Sequence, residues 1–392
     1  MYALTHCNLY TGSRELKDHA LIIDGTRIVD IVPEERLGED FPKIDCQGYT
    51  VAPGFIDLQL NGCGGVMFND AVAAETLDTM HHTNLKSGTT SFLPTLITTT
   101  DEDMQRAIAL VEAYRQHSPY SVLGLHLEGP YLNPKRKGIH NERYVRQPDA
   151  EMVTAIAQAG SKVVKLVTLA PEQTPPDQIR QLAEAGILVS AGHTDATYEE
   201  AMAGFDAGVK MVTHLFNAMS PWTGRSPGMV GATFSRGNIY AGIIVDGHHV
   251  HFASVRLAQK ILRDKLVLVT DATPPVGTQM ESFVIGGQEV FYREGKCVSA
   301  EGTLGGSALT MIEAVANCVQ QVGISLGEAL RMATLNPARA IACDDKLGLL
   351  SPGYIANITL FNRDFTVTGV IDQGILHSFD GALQTAASAI AP

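Results

Sequence analysis

Between residues 54 and 270 the chain alternates short apolar runs with amphipathic stretches, and this alternation limits its possible folds more than any other feature. The apolar runs are Phe55–Leu60, Thr90–Leu93, Val122–Glu128, Val163–Thr168, Ile187–Ser190, Met211–His214, Tyr240–Val245 and Leu266–Thr270. Runs this short suit strands buried on both faces, as in parallel sheets. Helical patterns lie between most of them, at Asp101–His117, Asp149–Ala159, Pro176–Ala185, Thr197–Ala207 and His251–Arg263. Eight strands separated by helices predict an α/β fold, a parallel (β/α)8 TIM barrel. A doubly wound open sheet is the structural alternative. The count of eight and the polar residues gathered at strand ends favour the barrel.

The flanks read differently. Residues 1–53 carry short strand patterns (Tyr2–Thr5, Ala20–Ile23, Arg27–Val32, Cys46–Ala52) broken by turn pairs such as Asp24-Gly25. After the eighth run, Phe283–Cys297 reads as a hairpin around Gly286-Gly287. Helical stretches follow at Ser307–Gln321, Ser325–Thr334 and Pro337–Ala342, and strands return at Tyr354–Phe361 and Phe365–Ile371. The expected organisation is a small β-sandwich domain built from residues 1–53 and 349–392, flanking a barrel at 54–348. The last 15 or so residues, rich in Ala and Ser, are expected to fray.

Charge excludes some partners. A formal net charge of -13 argues against nucleic acid and membrane surfaces, and no apolar run is long enough to span a bilayer. The N-terminus reads as a strand and not as a signal peptide. Six scattered cysteines with no CxxC pair read as reduced thiols in a cytoplasmic protein.

The strand ends carry the chemistry. In Leu123-Gly-Leu-His-Leu-Glu-Gly-Pro130 the leucines alternate with polar residues, which puts His126 and Glu128 on one face. A carboxylate ending an apolar strand needs a positive partner. His193 and His214 each stand just past an apolar run. Two imidazoles and a carboxylate from the third, fifth and sixth strands suit Zn²⁺ with a position left open for water. Each histidine alone is better read as a satisfied polar residue at a barrel mouth; the convergence of three favours a metal. Asp271 ends the eighth strand, placed to serve as a general base across the barrel mouth.

Several motifs resemble a known family. Gly54-Phe-Ile-Asp-Leu-Gln-Leu-Asn-Gly-Cys-Gly-Gly65, His126-Leu-Glu-Gly-Pro130, Gly192-His-Thr194, Thr213-His-Leu-Phe-Asn-Ala-Met219 and Leu268-Val-Thr-Asp-Ala272 are similar, in order, to the amidohydrolase superfamily and its N-acetylglucosamine-6-phosphate deacetylase branch. The superfamily's first-strand His-x-His is here Gln59 and Asn61. Amides are poor ligands beside imidazole, so this departure implies one divalent metal per subunit. Zn²⁺ fits best, although Fe²⁺, Co²⁺ or Mn²⁺ could occupy the same set.

The resemblance implies metal ligands Glu128, His193 and His214, with Asp271 as catalytic acid/base. It implies substrate contacts at Ile139, His140, Asn217, Ala218, Arg225, His249, Leu304, Gly305 and Gly306. The implied substrate is a small sugar phosphate and the implied assembly a homodimer, in which the loop bearing Arg225 or His249 could reach a neighbour's site. Arg225 would suit a phosphate through bidentate bonds, Asn217 and Ala218 could offer it backbone N–H groups, and Lys135-Arg136-Lys137 reads as a solvated basic run. Two rivals are an enzyme for the galactosamine epimer or another amide, and a non-catalytic sugar-phosphate sensor. The Gln59/Asn61 pair looks more like the glucosamine enzymes. A sensor should have lost a ligand or Asp271, and none is lost.

Overall fold

Eight strands lie side by side in chain order, and from the second to the eighth they pair in parallel. They are Phe55–Leu60, Thr89–Ile97, Leu125–Glu128, Val164–Leu169, Leu188–Ala191, Val209–Val212, Tyr240–Ile243 and Leu266–Leu268. The fold is the expected (β/α)8 barrel. This computed structural model describes residues 1–379 and Leu383. Most of the C-terminal stretch expected to fray lies outside the described residues.

The helices start where side chains can satisfy their first N–H groups. Thr100 caps Asp101–Arg115 by accepting from Asp103 N, and Asp149 caps Ala150–Ala159. Thr197 and Glu200 form a reciprocal capping box on Tyr198–Ala207. Gly160, Gly208 and Gly237 end helices at positive φ. Two helices escape the sequence pattern. Ala74–Leu85 carries little apolar periodicity, and Gly228–Arg236 holds two glycines in nine residues.

The chain forms two compact units. One comprises Met1–Ile56, His81–Ser91 and Met311–Pro392; the other comprises Asp57–Met80 and Phe92–Thr310. Within the first, Thr50–Pro53 pairs with Asn8–Tyr10 on one side and Ile358–Phe361 on the other, so strands from both ends of the chain share a six-stranded sheet. A second, four-stranded sheet holds Tyr2–Thr5, and leucines and isoleucines of both sheets form one core. The unit also takes in the C-terminal helices Met311–Asn317, Leu326–Ala333 and Leu335–Ala340. In the second unit, the hairpin at Gly286-Gly287 gains a third strand, giving Ser282–Ile285, Gln288–Arg293 and Lys296–Ser299.

The barrel is closed by the chain beyond its eighth strand. Asp271 N–H donates to Gln59 O at 2.9 Å, and Leu60 bridges Ala272. The buried Asp57 carboxylate completes the seam, accepting from Thr270 Oγ1, from Thr270 N at 3.3 Å and from Gln59 N at 3.1 Å. Burial pushes the Asp57 carboxyl up from 3.8 to about 7, although those hydrogen bonds pull the other way. An acid held above its unfolded pKa binds its proton more tightly when folded, so its contribution falls as pH rises. Stability should therefore decline between about pH 4 and about pH 7. Asp57→Asn should make that decline shallower, as read from urea midpoints across the range. Equal slopes in the two proteins would contradict this role.

Candidate active site and metal centre

Three donor atoms meet at the barrel mouth. Glu128 Oε1 lies 3.2 Å from His193 Nε2 and 3.1 Å from His214 Nε2, and the two nitrogens are 3.0 Å apart. Glu128 is the last residue of its strand. His193 and His214 each leave theirs two residues past its end, at φ +49° and +29°. Non-glycine residues pay for left-handed backbone, and such residues gather at functional sites.

The tautomer of His193 bears on what the cluster holds. Its Nδ1 is 2.9 Å from the Arg136 carbonyl oxygen, which fixes the proton on Nδ1. In the neutral ring, Nε2 then points a lone pair at the Glu128 oxygen and at His214 Nε2. Lone pairs facing one another call for a proton or a cation between them. Bonds of about 2.0–2.1 Å to one ion would set neighbouring donors about 2.8–3.4 Å apart, from right-angled to tetrahedral geometry. The observed spacings fall in that window. His140 joins the same neighbourhood: Glu128, His140 and His193 offer ligand atoms within 4.8 Å of one another. The His140 ring centroid lies 4.3 Å from that of His193.

Electrostatics separates the two carboxylates. Burial alone would raise Glu128, but hydrogen bonds to His193 and His214 hold it well below its ordinary value. Asp271 is pushed up to about 6 by burial and by the charge of Glu128, against the opposing pull of His214, His249 and Asn61. Burial also holds His140 well below its ordinary value, and the neighbouring His193 adds to this. Gln59 Nε2 donates to both Glu128 Oε1 and Asp271 Oδ1 at 3.1 Å, and Asn61 Nδ2 donates to Asp271 Oδ1 at 2.6 Å. The two amides therefore turn N–H groups, not lone pairs, toward the carboxylates.

A cavity of about 340 Å³ opens over this cluster. Ile139, His140, Asn217, Ala218, His249, Leu304, Gly306 and Asp271 line it together with Glu128, His193 and His214. Gly305 is buried with its Cα facing Ile139 and Ile285, since a Cβ there would sit 3.2 Å from Ile139 Cγ1. Arg225 is not among the lining residues and lies on the exposed loop 221–226. Sequence reasoning expected backbone donors from Asn217 and Ala218, but Asn217 N–H already donates to His214 O at 2.9 Å. It also read Lys135-Arg136-Lys137 as a solvated face. Arg136 is instead half-buried, pairs with Asp195 at 2.8 Å and holds His193 through its carbonyl.

Other contributors were missed. Thr98 Oγ1 lies 2.7 Å from His140 Nδ1, and Asp246 Oδ2 lies 2.6 Å from His249 Nδ1. Asp246 also accepts the backbone N–H groups of His248 and His249, each at 2.8 Å. The chain bends there, and Asp246 selects His249 while His248 stays exposed. The Asp-x-x-His spacing was the available signal. Thr98 offered none, because its role depends on a loop 42 residues away.

Comparison with known proteins places this geometry. Residues 50–376 match the model of the amidohydrolase family, and residues 1–51 match the NagA composite domain. The chain belongs to the amidohydrolase family. It is 44% identical over 376 residues to an N-acetylglucosamine-6-phosphate deacetylase of Haemophilus influenzae, spanning 95% of this chain and 98% of that one. It is 38% identical to an N-acetylgalactosamine-6-phosphate deacetylase of a Shewanella species over 84% of each chain. The crystal structure of N-acetylglucosamine-6-phosphate deacetylase from Pasteurella multocida superposes with a TM-score of 0.94 at 47% identity, covering 96% of this chain and 99% of that one. Family and donor cluster together support a divalent metal at this site. Among the described residues no helix is long and apolar enough to cross a membrane.

Proposed function

We propose that the protein hydrolyses the acetamide of N-acetyl-D-glucosamine 6-phosphate to D-glucosamine 6-phosphate and acetate. The observation that carries this reading is the 3.0–3.2 Å triangle of Glu128, His193 and His214 at the mouth of a cavity that Asp271 also lines. These three residues would hold one Zn²⁺ per subunit. The N–H groups of Gln59 and Asn61, facing Asp271 where a second ion's ligands would stand, speak against a pair. When bound, the cation would supply Lewis-acid polarisation of the amide carbonyl and acidify an attacking water.

The chain's own residues carry the protons. Asp271 takes one proton from water as the new C–O bond forms at the acetyl carbon. It returns that proton to the amine nitrogen as the C–N bond breaks, because an unprotonated amide anion is too basic to leave. A carboxyl lifted toward neutrality is suited to both tasks. Thr98 Oγ1, 2.7 Å from Nδ1, orients the His140 ring, which lines the cavity that would take the acetyl group. His249, oriented by Asp246, faces the cavity for the sugar phosphate.

The direct test is acetate release from N-acetylglucosamine 6-phosphate. Asp271→Asn should lower kcat by about 10²–10⁴-fold while sugar-phosphate binding persists. The acid limb of kcat/KM should fall as Asp271 takes up its proton, below about 6, because a bound dication would pull down the value that burial and Glu128 raise. Near-normal turnover in the variant would sink the assignment. Faster release from the galactosamine epimer would favour the second reading, which the Shewanella relative keeps in view.

The phosphate and the assembly belong to the same proposal. Among the described residues no Lys or Arg lines the cavity, yet a phosphomonoester needs charge-assisted donors. The exposed Arg225 is proposed to serve a neighbouring copy in a homodimer. Co-expressed Asp271→Asn and Arg225→Ala chains would then rebuild one intact site per mixed dimer. Recovery of activity is expected, and its absence would place Arg225 in its own subunit's site or outside the reaction. No disulfide joins the six cysteines among the described residues, and five of them are buried, which supports placing the enzyme in the reducing cytoplasm.

A further inference from the structure

His193 stands on left-handed backbone, and the contacts that fix it form a closed circuit through one acidic side chain. Glu172 lies in the turn after the fourth barrel strand, Val164–Leu169. Its Oε1 accepts from Asn133 Nδ2 at 2.9 Å and from the Asp195 backbone N–H at 2.7 Å. Its Oε2 accepts from the Thr194 hydroxyl at 2.5 Å. Asn133 in turn donates its backbone N–H to His193 O at 2.9 Å. On the other side, His193 Nδ1 meets the Arg136 carbonyl, and the Arg136 guanidinium pairs with the Asp195 carboxylate at 2.8 Å. The residues on either side of this circuit, 133–136 and 193–195, come from two different loops.

We propose that Glu172 is a positioning residue for His193, and that it sets how tightly the site retains its cation. The inference rests on the reading of His193 as a metal ligand. A carboxylate can accept on both oxygens, and here three donors converge on them. Together they hold both flanks of the imidazole: the two residues after it directly, and its own carbonyl through Asn133. Without Glu172, residues 194 and 195 lose their side-chain anchor and Asn133 its side-chain hold, leaving the Arg136 contacts, the Asn133 N–H bond to His193 O and the Thr194 backbone bonds with Ala218 and Ser220. The strained backbone at His193 could then relax and carry Nε2 away from Glu128. Outer partners of ligating histidines are typically worth about 10–100-fold in metal affinity.

Glutamine separates position from charge. With its oxygen in place of Oε1 and its amide donating to Thr194 Oγ1, Glu172→Gln keeps the circuit and loses the charge. The experiment is a Zn²⁺ competition titration of the full-length chain against a chromophoric chelator, with no substrate present. Glu172→Ala should bind Zn²⁺ about 10–100-fold more weakly than the wild type, and Glu172→Gln should stay within a few-fold of it. Equal affinity in Glu172→Ala and wild type overturns the proposal. So does an equal loss in both variants, which would point to charge alone. If Glu172→Ala fails to fold, Thr194→Val decides: weakened Zn²⁺ binding supports the circuit, and wild-type binding refutes it. A wild-type chain that binds no Zn²⁺ would refute the metal reading itself, a result distinct from any of these.

Discussion

The structure depends on one buried anion. Glu128 ends a strand in the barrel interior, where an unpaired carboxylate would cost several kcal/mol. Its Oε1 lies within 3.2 Å of two imidazole nitrogens that are themselves 3.0 Å apart. No neutral arrangement of these rings satisfies all three contacts, so the cluster needs positive charge. The barrel supplies the geometry for it. Parallel strands end side by side, and short left-handed turns at His193 and His214 swing the rings back over the mouth.

A second carboxylate acquires the opposite character from the same surroundings. Asp271 sits on left-handed backbone where the chain beyond the eighth strand docks on the first. Burial and the charge of Glu128 lift it, whereas hydrogen bonds to the two histidines depress Glu128. The two acids thereby separate, one held low by the imidazoles and one lifted toward neutrality, a division that suits the proposed acid/base role. Gln59 touches both, holding them apart without neutralising either.

Much of this was legible in the sequence, for identifiable reasons. Buried parallel strands must be continuously apolar, so the eight barrel strands stood out, and a polar residue just beyond such a run is conspicuous. Glu128, His193, His214 and Asp271, which the structure brings to one cavity, stand out that way. The eighth strand was overread: it ends at Leu268, and the chain to Asp271 closes the barrel through backbone bonds and Asp57 instead. Loop residues left little trace. Arg136 acts through its carbonyl, which any residue possesses, so its side chain misdirected the reading toward solvent. Thr98 and Glu172 matter through contacts between segments distant in sequence, and periodicity carries no record of those. Arg225 illustrates the converse, a residue marked by resemblance that the fold leaves on an exposed loop.

The Glu128 cluster is proposed to hold a single catalytic cation. This is tested most directly by metal analysis per chain on the same sample assayed for acetate release from N-acetylglucosamine 6-phosphate. One equivalent of metal is expected, with release that a chelator stops and Zn²⁺ restores. Two equivalents would mean that Gln59 and Asn61 do not prevent a second site. Full acetate release from metal-free protein would contradict the account outright.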